Sequence, residues 1–155
     1  MSALAYIRPD GWGLPLFLHV LGALVLLGAL TLTTVLLVGA WRDGSVDKLR
    51  LGVRAFCFGV IPAWVVMRGA AEWVASKEGL SDLDEPPAWI DFGYIAGDLG
   101  LLVIIVSGIL GWRAMRRVRA GDPEPATTAK VAAVLLCLLL VANVVALWAM
   151  TTKPV

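Results

Sequence analysis

One histidine, His19, lies inside the apolar run LFLHVLGAL, and one arginine, Arg68, inside VVMRGAAEW. Glu72, Asp91, Asp98 and Asn143 also stand in or beside long apolar stretches. An ionisable group in hydrocarbon is costly unless it is paired, hydrated or able to reach the interface, so each is a functional candidate. A neutral imidazole ligates metal ions and haem iron. A single histidine excludes a bis-histidine haem. It leaves a five-coordinate haem b, or one completed by Met67, Met150 or a non-protein ligand. In that reading Arg68 sits beside a haem propionate. The same groups admit a divalent metal held by His19 with Asp98, Glu72 or Asp91. They also admit a proton relay, and a purely structural polar cluster. With all groups ionised, Arg68 against Glu72, Asp91 and Asp98 leaves an acidic excess. A protonated carboxyl, a cationic His19 or a bound cation would remove it. No serine neighbours His19 in sequence, and there is no phosphate loop or dinucleotide fingerprint.

The elements that must position these groups follow from composition. Of 155 residues, 59% are hydrophobic and only 16% charged. A soluble domain is about half apolar and a quarter charged. The mean hydropathy of +0.84 belongs to a membrane protein. Four apolar segments run over residues 14–40, 51–75, 88–112 and 131–150. Each reaches the ~20 residues a helix needs to cross ~30 Å of hydrocarbon. Unbroken apolar runs do not fit the alternation of a barrel strand. The sequence therefore predicts an all-α, four-transmembrane-helix bundle, one integral membrane domain over residues 1–155. The first segment is read as a retained span rather than a cleaved signal.

Charge placement sets the expected orientation. Nine of the thirteen basic residues fall in or beside the connections 41–50 and 113–130. The connection 76–87 carries only Lys77 among basic residues and is otherwise acidic. The positive-inside rule puts the basic loops in the cytoplasm and the acidic loop and both termini outside, in a bacterial-type cytoplasmic (inner) membrane. Trp12, Trp41, Trp73, Trp89, Trp112 and Trp148 fall at segment ends, as an aromatic belt requires, with Trp64 the exception. The run RAMRRVRAG predicts a helix continuing past the membrane to a Gly121 cap. Thr127 or Thr128 is expected to cap the fourth helix. The basic run serves as a topology determinant, or binds anionic lipid or a partner. A net charge of +1 gives no argument for nucleic acid. Asp82, Asp84 and Glu85 do not have EF-hand spacing. Cys57 and Cys137 have no metal-site spacing and are expected to be small packing residues.

With that topology, His19, Arg68, Asn143 and Asp98 lie about 8–15 Å inside the outer boundary at 1.5 Å per residue. Glu72 and Asp91 sit nearer the surface. Together they form a polar layer in the outer half of the bundle. On the third span Gly93, Gly97, Gly100, Ser107, Gly108 and Gly111 share a face, which predicts close helix contact at Gly97, or homo-oligomerisation. His19, Gly22, Ala23, Leu26 and Ala29 form a stripe that turns His19 into the bundle. Gly22 and Ala23 leave room there for something flat or for a close neighbour. Pro62 predicts a kink in the second span.

The stretches LFLHVLGALVLLGAL and LWAMTTKPV resemble the two ends of a bacterial family of four-helix integral membrane proteins without assigned activity. Its members open with a Leu-x-His-x-Leu-Gly helix and close in a Met-x-x-Lys-Pro tail. That family is distantly similar to the copper-resistance D proteins and to HemJ-type protoporphyrinogen oxidase. The resemblance implies that His19 occupies the position of HemJ's first-helix haem ligand. HemJ-type proteins also use a lysine in the second segment, whereas Lys77 here lies beyond that segment's end. Two further readings stay open: a non-catalytic subunit of a larger membrane complex, and a small proton-coupled transporter. The orientation is directly testable. A single cysteine placed at Asp84 should react with an external impermeant probe, and one at Arg117 should not. The reverse pattern would move the polar layer to the cytoplasmic half.

Overall fold

A backbone in hydrocarbon has no water to bond, so a long apolar run must satisfy its own N–H and C=O groups as a helix. The computed structural model describes residues 13–78, 88–121 and 126–152, with side chains except at 78, 88, 89, 92, 126 and 150. Helix α1 spans Gly13–Asp43, α2 Val46–Ala55, α3 Ile61–Glu78, α4 Ala88–Arg119 and α5 Ala126–Thr152. A π-helical turn, Phe56–Val60, joins α2 to α3, so the two make one long span. Among the described residues there is no strand, and four helices are long and apolar enough to cross a membrane. Only 28–33% of each span's most apolar stretch is buried inside the chain. The rest presents Leu24, Val35, Phe58, Leu102 and Leu138 outward, a surface that suits lipid. The chain thus has the build of a multi-pass membrane protein.

The helices overrun the apolar segments. The connection expected over 41–50 shrinks to Gly44 and Ser45. Gly44 takes φ +65°, and the Ser45 hydroxyl accepts a bond of 3.4 Å from the Lys48 amide to cap α2. Lys48 pairs with Asp43 across this turn. Hydrocarbon thickness limits the apolar length, but arginine and lysine are good helix formers and carry the ladder on beyond it. For the same reason α4 continues to Arg119, and Gly121 turns the chain at φ +77°, as its glycine predicts. Thr127 and Thr128 lie within the first turn of α5 instead of preceding it. Asp82, Asp84 and Glu85 lie outside the described residues.

Pro62 produces a π turn where a kink is expected. Proline lacks an N–H and its ring would crowd the carbonyl four residues back, that of Phe58. The turn ahead of it widens by one residue, and the Ile61 amide donates to the Phe56 carbonyl, a five-residue step. Phe58 is thrown outward to 83% exposure, while Phe56 and Val60 turn into the core.

Inside, α1 is the central partner, packed against α2, α3 and α5. Leu26, Leu30, Val60 and Leu136 are at most 1% exposed. The tightest approach is at Gly22, where an added Cβ would lie 2.9 Å from the Met67 Cα and N. That space beside His19 is therefore filled by the backbone of α3. Helix α4 packs on α5 and, at the basic end, on α2, whereas the backbones of α3 and α4 stand apart. The glycine stripe of α4 consequently works differently from a helix–helix seam. Gly97 faces the Arg68 side chain, Gly100 faces Leu139 and Trp64, and Gly108 faces Phe56. The small residues accept side chains from the second span and from α5. The expected backbone contact at Gly97 is corrected to a notch for the Arg68 stem, because the two helices diverge there. Cys57 and Cys137 are also corrected: both are free and exposed, on outward faces.

Gly22 and Gly28 give a controlled pair. An added methyl at Gly22 collides with backbone, so Gly22→Ala should cost about 1–3 kcal/mol. Gly28 is exposed with nothing within 4 Å of an added Cβ, so Gly28→Ala should be neutral or stabilising by up to about 1 kcal/mol. Thermal unfolding in one detergent compares them. Equal effects would mean that α1 and α3 do not touch at Gly22.

Candidate functional site

The site lies at the end of the bundle where α1 and α4 begin and α3 and α5 finish. His19 is half-buried on α1, and its Nδ1 lies 3.2 Å from the Met67 carbonyl. A carbonyl only accepts, so Nδ1 must carry the proton. In the neutral imidazole that bond selects the Nδ1–H tautomer and leaves Nε2 as the nitrogen with a lone pair. The glycine one turn on, Gly22, is what lets Met67 come this close.

Met67 is followed by Arg68, whose side chain turns toward α4. Its Nη1 donates to Glu72, one turn along the same helix, and its Nη2 donates to Asp98 Oδ1 of α4 at 3.2 Å. The guanidinium also lies over the Tyr94 ring, 4.8 Å from its centroid. The Tyr94 hydroxyl reaches Glu72 Oε2 at 3.4 Å. Gly97 offers the Arg68 stem a flat surface, its missing Cβ only 3.4 Å from Cδ. One cation thus holds two carboxylates and an aromatic face, and it bridges α3 to α4 where their backbones do not meet.

The structure joins some of the predicted site residues and separates others. Arg68, Glu72 and Asp98 come together. Asn143 donates to the Leu139 carbonyl of its own helix at 2.9 Å, so its amide serves α5. Asp91 is exposed in the first turn of α4, where a carboxylate suits the positive end of the helix dipole. The expected metal set of His19, Asp98 and Glu72 is not assembled. Among the described residues no group of three His, Cys, Asp or Glu side chains could hold a metal ion. The reason is local: both carboxylates are turned onto Arg68, and His19 onto α3. Arg68 likewise has both Nη groups committed to carboxylates. The side chain of Met150 is outside the described ones. Tyr94 and the Met67 carbonyl complete the site, and the sequence alone does not point to either. Tyr94 is legible once the fold is known, one turn before Asp98 at i,i+4. A main-chain carbonyl leaves no mark in a sequence.

No family model, curated protein or solved structure matches the chain.

The Arg68 network invites a double-mutant cycle. The Arg68 side chain is 22% exposed, but Glu72 is 50% and Asp98 68% exposed. A carboxylate that loses Arg68 regains water, so Arg68→Ala should cost about 1 kcal/mol instead of the 3–5 of a buried pair. The coupling of Arg68 to Glu72 should exceed its coupling to Asp98, because Glu72 also holds Tyr94. Chemical or thermal unfolding of the single and double alanine variants measures both. Zero coupling to either acid would reduce the network to a surface arrangement without energetic content.

Proposed function

We propose that this is a membrane protein that binds haem b, or a metal ion, with His19 as its one protein ligand. The observation that carries the reading is the bond from His19 Nδ1 to the Met67 carbonyl. Metal-ligating histidines characteristically donate their second ring nitrogen to a carbonyl or carboxylate, which fixes the tautomer and raises the basicity of the ligating nitrogen. His19 has that arrangement, on a helix locked against its neighbour. The donor set suits haem better than an ion held by protein alone, since haem brings four nitrogen ligands of its own and needs one imidazole. Met67 covers the Gly22 side, so the ligand reaches Nε2 from elsewhere. Arg68 then acts through the network, holding α3 and α4 at a set separation, more than as a free propionate partner. Bound there, haem would supply one-electron chemistry at its iron. The proposed setting is a bacterial-type cytoplasmic membrane with both termini outside, supported by the basic residues at the opposite end of the bundle. The resemblance of the chain's two ends to a family distantly similar to HemJ-type and copper-resistance D proteins is in keeping with this reading, since it would place His19 where HemJ holds haem.

A second reading, a non-catalytic subunit of a membrane complex, is favoured by one feature. Ala96, Gly100, Ala142 and Ala146 line an apolar hollow of about 370 Å³ between α4 and α5, small residues of the kind that admit a partner's transmembrane helix. Absorption spectroscopy separates the two. Protein purified from cells supplied with haem precursor should show a Soret band, and His19→Ala should abolish it while helicity is retained. Colourless protein without stoichiometric transition metal, copurifying with a partner in fixed ratio, would favour the subunit reading.

A further inference from the structure

At the other end of the bundle, Arg50 and Arg54 of α2 and Arg116 and Arg119 of α4 surround a pocket of about 350 Å³. Its remaining lining is apolar: Val53, Met115 and Trp112. The charges are poorly matched. Arg50 has a distant partner in Asp47, at 3.9 Å, and that acid is 94% exposed. Among the described residues Arg54, Arg116 and Arg119 pair with no carboxylate. Arg116 rests on the Trp112 ring, 4.6 Å from its centroid, which orients the guanidinium without neutralising it.

Trp112 lines a second cavity as well. The same residue begins an apolar groove of about 400 Å³ between the second span and α4, which continues past Phe56 and Ile105 to Trp64 and Leu101. From Trp112 to Leu101 the groove follows α4 for about 16 Å at 1.5 Å per residue, close to the ~15 Å of one leaflet. It lies where α3 and α4 stand apart, beyond the place where Phe56 seats against Gly108. Four guanidiniums at a tryptophan-marked boundary, opening into a leaflet-long apolar groove, are complementary to a molecule with a phosphate at one end and hydrocarbon at the other.

The geometry points to a site for an anionic phospholipid in the seam between the second span and α4, its phosphate among Arg54, Arg116 and Arg119 and an acyl chain along the groove. A topology signal alone requires basic residues at this end but no convergence of two helices' arginines on one pocket. A free phosphate would use the arginines and leave the groove without a role.

The test uses the full chain purified in a neutral detergent. Lipid binding is measured by thermal stabilisation and by native mass spectrometry, with phosphatidylglycerol, phosphatidylcholine and inorganic phosphate as separate probes. Phosphatidylglycerol should bind and stabilise, and phosphatidylcholine should be much weaker. Combined Arg54→Gln, Arg116→Gln and Arg119→Gln should weaken phosphatidylglycerol by about a hundredfold, at roughly fivefold per arginine near a membrane surface. The three lysine replacements at the same positions keep the charge, and with it the topology, and should retain part of the affinity. Ile105→Trp fills the groove and should weaken the lipid while leaving the arginines intact. Equal binding of the two lipids, or an unchanged affinity in the glutamine variant, would overturn the site. Inorganic phosphate stabilising as well as phosphatidylglycerol would overturn the lipid as its occupant. Undiminished lipid binding by the Ile105→Trp variant would overturn the placement of the chain.

Discussion

The contact of α1 with α3 at Gly22 and Met67 sets the directions of the polar side chains on both helices. It is a backbone-to-backbone contact, and only a residue without a Cβ permits it. Once Met67 is pressed against α1, its carbonyl is within reach of His19, one turn earlier on that helix. A carbonyl has two lone pairs, so it can serve a side chain beside its place in the helical ladder. The next residue, Arg68, is rotated about 100° from Met67 and leaves the α1 interface toward α4. The imidazole and the guanidinium therefore take their directions from one glycine. Neither could be moved alone, because a rotation of α3 that freed His19 would also carry Arg68 off Asp98.

The π turn governs the other half of the second span. A helix interrupted by proline must lose a hydrogen bond, and widening the preceding turn is one way to keep the neighbouring amide paired. The widening inserts an extra residue ahead of α3 and so alters which faces of α2 and α3 look the same way. Helix α2 turns Val53 toward Gly111 of α4, and the π turn sets Phe56 against Gly108. Beyond them α3 leans toward α1. Divergence of α3 from α4 results, and the seam between them is left to long side chains: Trp64 in the middle and Arg68 at the end. This explains why the glycines of α4 share a face without making a helix–helix seam. They are the places where those long side chains lie flat.

Much of this is legible in the residues, and the limits have physical causes. The four spans follow from apolar length, and the pairing of Arg68 with Glu72 from their i,i+4 spacing. Apolar length alone places a helix end short, as at Asp43, because hydropathy reports where hydrocarbon stops and not where the hydrogen-bond ladder stops; at Arg119 the basic run and Gly121 make the longer helix legible. The glycine stripe is visible, but its partners are not, since spacing gives a face and says nothing of what meets it. His19 stands out in the sequence as unusual, yet its bond runs to a main-chain carbonyl, a group every residue possesses. Asp98 and Glu72 are natural metal ligands until Arg68 is placed between them. Competition for a carboxylate is decided by distance in the folded chain, and no one-dimensional pattern contains it.

The charges of this bundle are confined to its two ends, and the difference between the ends is instructive. At the polar end a cation meets two carboxylates, a tyrosine ring and a helix notch, and its charge is more than matched within the chain. At the basic end four guanidiniums converge with little but a tryptophan face to receive them. Both arrangements lie along the same seam, between the second span and α4, with uninterrupted apolar surface between. Side chains internal to the protein close the seam at one end. At the other end α2 packs on α4 through Val53 at Gly111, with Phe56 of the π turn at Gly108, and among the described residues Arg54, Arg116 and Arg119 beside that contact are left without internal carboxylates to neutralise them. Divergent helices in a bilayer do not leave vacuum between them; lipid fills the space. An open seam with unbalanced positive charge at its mouth and apolar walls behind therefore selects among lipids by headgroup charge, through the same divergence of helices that gives Arg68 its span to bridge.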